Sequence, residues 1–146
     1  MEFDNSVSRV GFIGNYRSVD DVINFDSSEL AKIGGSFEEI GDRIGDIVDY
    51  VEANGKGHMD DKVEILFYGL TKGPQFCPFS KCTTRAWNDV VTIQNPITKR
   101  KLTINRGIEH LVREHYLLEK RNDYGITAGE FYEHFMLYPK GIILIN

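Results

Sequence analysis

Phe76-Cys77-Pro78-Phe79-Ser80-Lys81-Cys82 opens the stretch around which this chain is organised, and the stretch closes on a segment carrying His110 and His115. Both cysteines and two of the four histidines of the protein fall here. Between them, Val90-Val91-Thr92-Ile93 and Lys101-Leu102-Thr103-Ile104 read as two strands, and the Asn95-Pro96-Ile97-Thr98 turn joins them as a hairpin. A helix is expected from about Arg106 to Arg121, with both histidines on it. Two thiols and two imidazoles held by a hairpin and a helix suit a tetrahedral zinc ion, which takes nitrogen and sulfur ligands and binds cysteine as thiolate. The expected ligand set is Cys77, Cys82, His110 and His115.

The order Cys-x4-Cys, hairpin, helix, His-x4-His resembles a Cys2His2 zinc finger over about residues 76–115. The resemblance implies a structural zinc on those four residues. It does not carry over base reading in DNA, because the helix positions that read bases in fingers cannot be aligned here. The interval from Cys82 to His110, 27 residues, is far longer than in finger proteins, and the unit (76–121) sits inside a larger domain. Residues five apart on an ideal helix point about 140° from each other, so His110 and His115 can share a metal only where the helix widens. The competing reading puts His115 on the apolar face with Ile108, Leu111 and Val112, His110 on the surface, and the cysteines in the core as small hydrophobes.

Outward from this stretch, the chain reads as one α+β domain, residues 1–146, with a small mixed β-sheet, packed helices and the zinc-knotted hairpin–helix unit. Towards the N-terminus, residues 9–16 suggest a first strand. Ser18 with Asp20 and Asp21 caps a short helix through Phe25, and Ser27 or Ser28 caps another through Ile33, stopped by Gly34-Gly35. Ser36 and Glu39 form a capping box that opens the strongest helix, residues 36–53. Phe37, Ile40, Ile44, Ile47, Val48 and Val51 make its apolar stripe. Gly41 and Gly45 lie one turn apart beside the stripe, which signals close approach of a neighbouring element or, failing that, a homodimer contact. Val63–Tyr68 reads as a buried strand. Towards the C-terminus, Thr127 and Glu130 form a second capping box for a helix through Leu137, and Ile142–Ile145 reads as a terminal strand that joins the sheet.

Charge narrows the function classes. Residues 1–61 hold fourteen acids and five bases, whereas residues 62–146 hold eight acids and twelve bases. The acidic first half argues against wrapping nucleic acid. Met1-Glu2-Phe3-Asp4-Asn5 lacks the pattern of a signal peptide, and no apolar run is long enough to span a bilayer. A cytoplasmic protein is therefore expected, where paired thiols favour metal over disulfide. No phosphate loop, nucleotide fingerprint, His-Glu-x-x-His or serine-hydrolase motif is present. The i,i+4 pairs His110/Glu114 and Glu130/His134 read as helix-face pairs.

The leading expectation is a zinc-stabilised binding or regulatory protein that acts on another protein. Its candidate partner surfaces are an acidic face, Glu38, Asp42, Asp46 and Asp49, and a basic cluster, Lys99, Arg100, Lys101 and Arg106. Two alternatives stand beside it. One is a zinc hydrolase or nuclease with Glu109 or Glu114 as base. The other is a nucleic-acid-binding protein that uses the 99–106 hairpin, with Trp87 and Arg85 adding a stacking surface.

Overall fold

A computed structural model describes residues 13, 16, 18–79, 86–120 and 124–137. Their order is α1 (Val19–Ile33), α2 (Phe37–Asn54), β1 (Gly57–His58), β2 (Glu64–Phe76), β3 (Ala86–Gln94), β4 (Lys101–Ile104), α3 (Arg106–His115) and α4 (Ala128–Phe135). Among the described residues this is a small α+β fold, with four helices and a four-stranded sheet in the order β1-β2-β3-β4. Every pairing among the described residues is antiparallel, where a mixed sheet was expected. The first strand and the terminal strand Ile142–Ile145 lie outside the described residues, apart from Ile13 and Tyr16.

The segment before Gly34 forms one helix, not two. Ser18 caps α1 by accepting from the Asp21 N–H, and Gly34 ends it with φ 69°, a left-handed conformation that suits glycine. Ser27 and Ser28 fall inside this helix. No proline or glycine interrupts residues 19–33, so their capping potential yields to the helix around them. In α2 the apolar stripe is buried as expected: Ile40, Ile44, Ile47, Val48 and Val51 join the main core with Ile65, Val91, Ile93, Ile104, Phe131 and Phe135.

Strand β2 is longer than its apolar run suggested. It pairs with β3 from Glu64↔Gln94 to Phe76↔Ala86, with irregularities between Ile65 and Phe67 and between Leu70 and Gln75. Pro74 falls in the second irregularity, where a missing N–H is tolerated. The cysteine stretch is therefore the connection of the β2–β3 hairpin. Residues 80–85 lie outside the described residues, and among the described residues no zinc-knotted hairpin–helix motif is shown.

Helix α3 stops at His115 instead of running on to Arg121. Both of its ends are tied. Asn105 accepts from the Ile108 N–H at 2.8 Å, and Asp89 on β3 accepts from the Arg106 N–H at 3.0 Å. Burial pushes the Asp89 carboxyl up, against the pull of that hydrogen bond. At the other end Tyr116 takes a left-handed conformation, and its N–H is shared between the carbonyls of Val112 and Leu111. The Leu117 N–H also reaches Leu111. The last turn of α3 is thus wider than an α-turn.

Candidate metal centre

Three of the four expected ligands converge. Sequence places Cys77 just past the end of β2, and the widened end of α3 carries His110 and His115. Their ligand atoms all lie within 4.8 Å of one another. Cys77 Sγ and His115 Nε2 are 3.5 Å apart. The two imidazole centroids are 5.2 Å apart and nearly perpendicular, at 82°. The widened turn is how two histidines five residues apart come to face one point.

The centre lies in a second, smaller core made by Val22, Cys77, Phe79, Trp87, Leu111 and Leu117. Cys77 is 1% exposed, and His110 and His115 are each 8% exposed. The Phe79 ring stacks on His115, with centroids 3.9 Å apart and planes 10° apart, which fixes the tilt of that imidazole. Trp87 packs against His110 at 6.3 Å and under the first turn of α3. A Cβ on Gly107 would stand 1.7 Å from the indole, so only glycine lets the helix settle there. Burial, and then the neighbouring His110, hold the His115 imidazole below its ordinary value. The neutral ring is the form that donates a lone pair to a metal.

The Cys2His2 resemblance is overturned. The cluster holds one cysteine and two histidines, and Cys82 lies outside the described residues. The competing reading also fails in part, because His110 is buried beside His115 and not on the surface. A tetrahedral zinc about 2.3 Å from sulfur and about 2.0 Å from nitrogen sets those two atoms about 3.5 Å apart. The Cys77–His115 separation matches that edge.

The other candidate residues are placed as follows. Lys99 and Lys101 are exposed around the β3–β4 turn, and Arg100 donates to the Gly125 carbonyl at 3.0 Å. Arg106 does not extend that cluster. Its guanidinium meets Asp49, Glu52 and Glu109 at 2.5, 2.6 and 3.0 Å. Asp42 likewise meets Arg113 at 2.6 Å, while Glu38 and Asp46 are exposed on α2. Trp87 is buried and offers no stacking surface. Of the two helix-face pairs, Glu130 instead completes the capping box with Thr127, and His134 Nδ1 lies 2.9 Å from Thr98 Oγ1.

Sequence reading missed the roles of Asn105, Asp89 and Phe79. Asn105 was legible, as an asparagine directly before a helix. The other two act through space and leave no local signal.

The fold and the cluster define this chain as a small α+β domain with a Cys/His/His group able to coordinate a metal. Searches against protein-family models, curated proteins and solved structures each found no match. Among the described residues no helix is long and apolar enough to cross a membrane.

Proposed function

We propose that Cys77, His110 and His115 hold a zinc ion that staples α3 to the end of the β2–β3 hairpin, and that the stapled domain works as a binding or regulatory module. The supporting observation is the convergence of a buried thiol and two buried imidazoles, with Cys77 and His115 at the separation of a tetrahedral edge. The donor set suits zinc: soft sulfur with borderline nitrogen, and no carboxylate of the kind that magnesium or calcium takes. Stapling follows from placement, since the ligands come from two elements that a single ion would cross-link. The exposed acids Glu38 and Asp46 and the Lys99–Lys101 turn are the surfaces offered to a protein partner in the cytoplasm.

Three protein ligands is also the count of a catalytic zinc, whose fourth position holds water. Burial to 8% exposure or less at all three ligands favours the structural role, because a substrate has little access.

Metal content of the full chain tests the reading, with Cys77→Ser, His110→Ala and His115→Ala alongside wild type. One zinc per chain is expected in wild type, with a hundredfold or greater loss of affinity in each variant. Because a variant can fail simply by unfolding, cobalt is titrated into wild-type apoprotein as a second measurement. A thiolate-to-cobalt charge-transfer band is expected. Absence of both the bound zinc and that band sinks the proposal. Exchange of a metal-bound water, seen by relaxation on the cobalt form, would move the site to the hydrolytic class.

A further inference from the structure

A cleft of about 350 Å³ opens where α1, the first turn of α2 and the end of α3 meet. Its apolar walls are Leu30, Ala31, Phe37 and Tyr116. Ser27, Ser36 and Glu38 supply its polar groups, and among the described residues no lysine, arginine or histidine lines it. We propose that this cleft binds a small organic cation, an ammonium or guanidinium group carried on an apolar body.

Size comes first. The volume is that of a small-ligand site, and the lining has the usual make-up of apolar walls with a few polar groups. Charge then selects the ligand. Glu38 is the one carboxylate in the lining, it is exposed, and no ion-pair partner meets it among the described residues. An anion would face Glu38 with no cation among the described lining residues to balance it. The positive end of the α2 dipole is countered by Glu38 and Glu39 in its own first turn, so it does not reverse that preference.

The rings reinforce the choice. Phe37 and Tyr116 lie 5.4 Å apart with planes tilted by 32°. The faces of such rings carry the negative potential that attracts a cation. Tyr116 sits at φ 56°, ψ 34°, a left-handed conformation in which an aromatic residue is rare. Glycine or asparagine would end α3 there with less strain. What tyrosine adds at this position is its ring, which touches Phe37 and forms the cleft wall.

The proposal does not rest on the metal reading. It is tested on the full chain by following backbone amide resonances during titration with benzylammonium. Benzyl alcohol and benzoate serve as neutral and anionic probes of the same shape. Saturable shifts at Leu30, Ala31, Gly35, Phe37 and Tyr116 are expected with benzylammonium, at least about tenfold weaker binding for the alcohol, and none for benzoate. Glu38→Gln and Tyr116→Gly should each weaken benzylammonium by about tenfold; the glycine variant keeps the left-handed turn, so it should not unfold the chain. Nα-acetylarginine amide forms a further arm, and binding as tight as benzylammonium would assign the cation to a protein side chain. Equal binding of the alcohol and the ammonium overturns the proposal. So does full affinity in Tyr116→Gly, or the lack of any saturable shift up to about 10 mM probe, the range in which a single cation–ring contact with one ion pair operates.

Discussion

At the scale of single residues, Tyr132 shows how a local motif is rewired by a distant side chain. Ser36 and Glu39 have the spacing of a capping box, and half of it forms: the Glu39 N–H donates to Ser36 Oγ at 3.1 Å. The other half is relayed. The Ser36 N–H donates to the Tyr132 hydroxyl at 2.8 Å, and that hydroxyl donates to Glu39 Oε1 at 2.8 Å. Burial, with the Glu39 carboxylate beside it, holds the Tyr132 phenol up to about 12, so it remains a donor throughout the ordinary pH range. A Cβ on Gly35 would lie 2.5 Å from the Tyr132 ring, so the turn before α2 is shaped to admit the ring. Tyr132→Phe removes the relay and leaves the Ser36 N–H and the Glu39 carboxylate without it. A loss of about 1–2 kcal/mol is expected in urea unfolding, with an unchanged m-value. A loss below about 0.3 kcal/mol would mean that water or the direct Glu39–Ser36 bond replaces the hydroxyl. Residues 36 and 39 were readable as a cap because the motif is local. The tyrosine was not, since it comes from a helix 96 positions away.

At the scale of elements, α3 is the part on which the rest converges. One side carries His110 and His115 into the metal centre. The other lays Glu109 and Arg113 across α2, where Gly41 and Gly45 leave room for them. Small residues one turn apart in α2 signalled a close neighbour, and that neighbour is α3. The two glycines are not equivalent. A Cβ at Gly41 would stand 2.7 Å from Arg113 Cγ, partway along a side chain whose tip is bonded to Asp42, Glu109 and the Gly41 carbonyl. A Cβ at Gly45 would meet Glu109 Oε2 at 2.7 Å and Arg113 Nη2 at 3.2 Å, the far ends of two side chains that can shift only by loosening the ion pair between them. Gly41→Ala should therefore destabilise by about 1–2 kcal/mol through overpacking, more than the helix-propensity gain of about 1 kcal/mol returns. Gly45→Ala should cost less than Gly41→Ala, within about 0.5 kcal/mol of neutral, because the same propensity gain is set against the loosening of a part-exposed ion pair and not against overpacking. Thermal unfolding of the two variants side by side checks the pair. The reverse ranking would show that α3 crosses α2 in another register.

At the scale of the whole molecule, a buried ion pair and a partly buried one join separate segments of the described chain. Lys120 meets Asp26 at 2.7 Å, linking α1 to the segment before α4. Arg43 of α2 donates to Asp60 in the β1–β2 turn at 2.8 Å and, through Nε, to the Phe135 carbonyl at the end of α4 at 2.8 Å. Burial alone would raise the Asp60 carboxyl. Hydrogen bonds from Arg43 and from the N–H groups of Lys62 and Val63 outweigh it and hold the group below its ordinary value of 3.8. Because the folded chain binds this proton less tightly than the unfolded chain, the contribution of Asp60 is fully present above pH 3.8. It is lost as pH falls through the lower folded value. Asp60→Asn should cost about 2 kcal/mol at pH 7, since it leaves Arg43, 7% exposed, without the carboxylate it pairs with. Wild type and variant should begin to converge below pH 3.8 and meet once pH has fallen through that lower folded value. Denaturant titrations at neutral and acid pH measure this directly. A gap that persists unchanged into acid would place the cost in packing and not in charge.

By itself, the sequence determined what depends on near neighbours. The apolar period of α2 specified its buried face, Thr127 and Glu130 specified the start of α4, and the two strand runs around Asn95 specified the β3–β4 hairpin. Its soft ligands also identified Cys77, Cys82, His110 and His115 as candidates for metal, of which the described structure brings Cys77, His110 and His115 together. Only the tertiary structure decided how these parts meet. The last turn of α3 had to widen before its histidines could face one point, and that widening comes from the backbone bonds at Tyr116, not from the His-x4-His spacing. Residues 19–33 became one helix because nothing within them breaks it, whatever their serines could cap. Hydrophobic pattern and capping are short-range, so they survive in the linear order of residues. Ion pairs, ring stacking and ligand convergence depend on which distant segments share space, and only the packed chain specifies that.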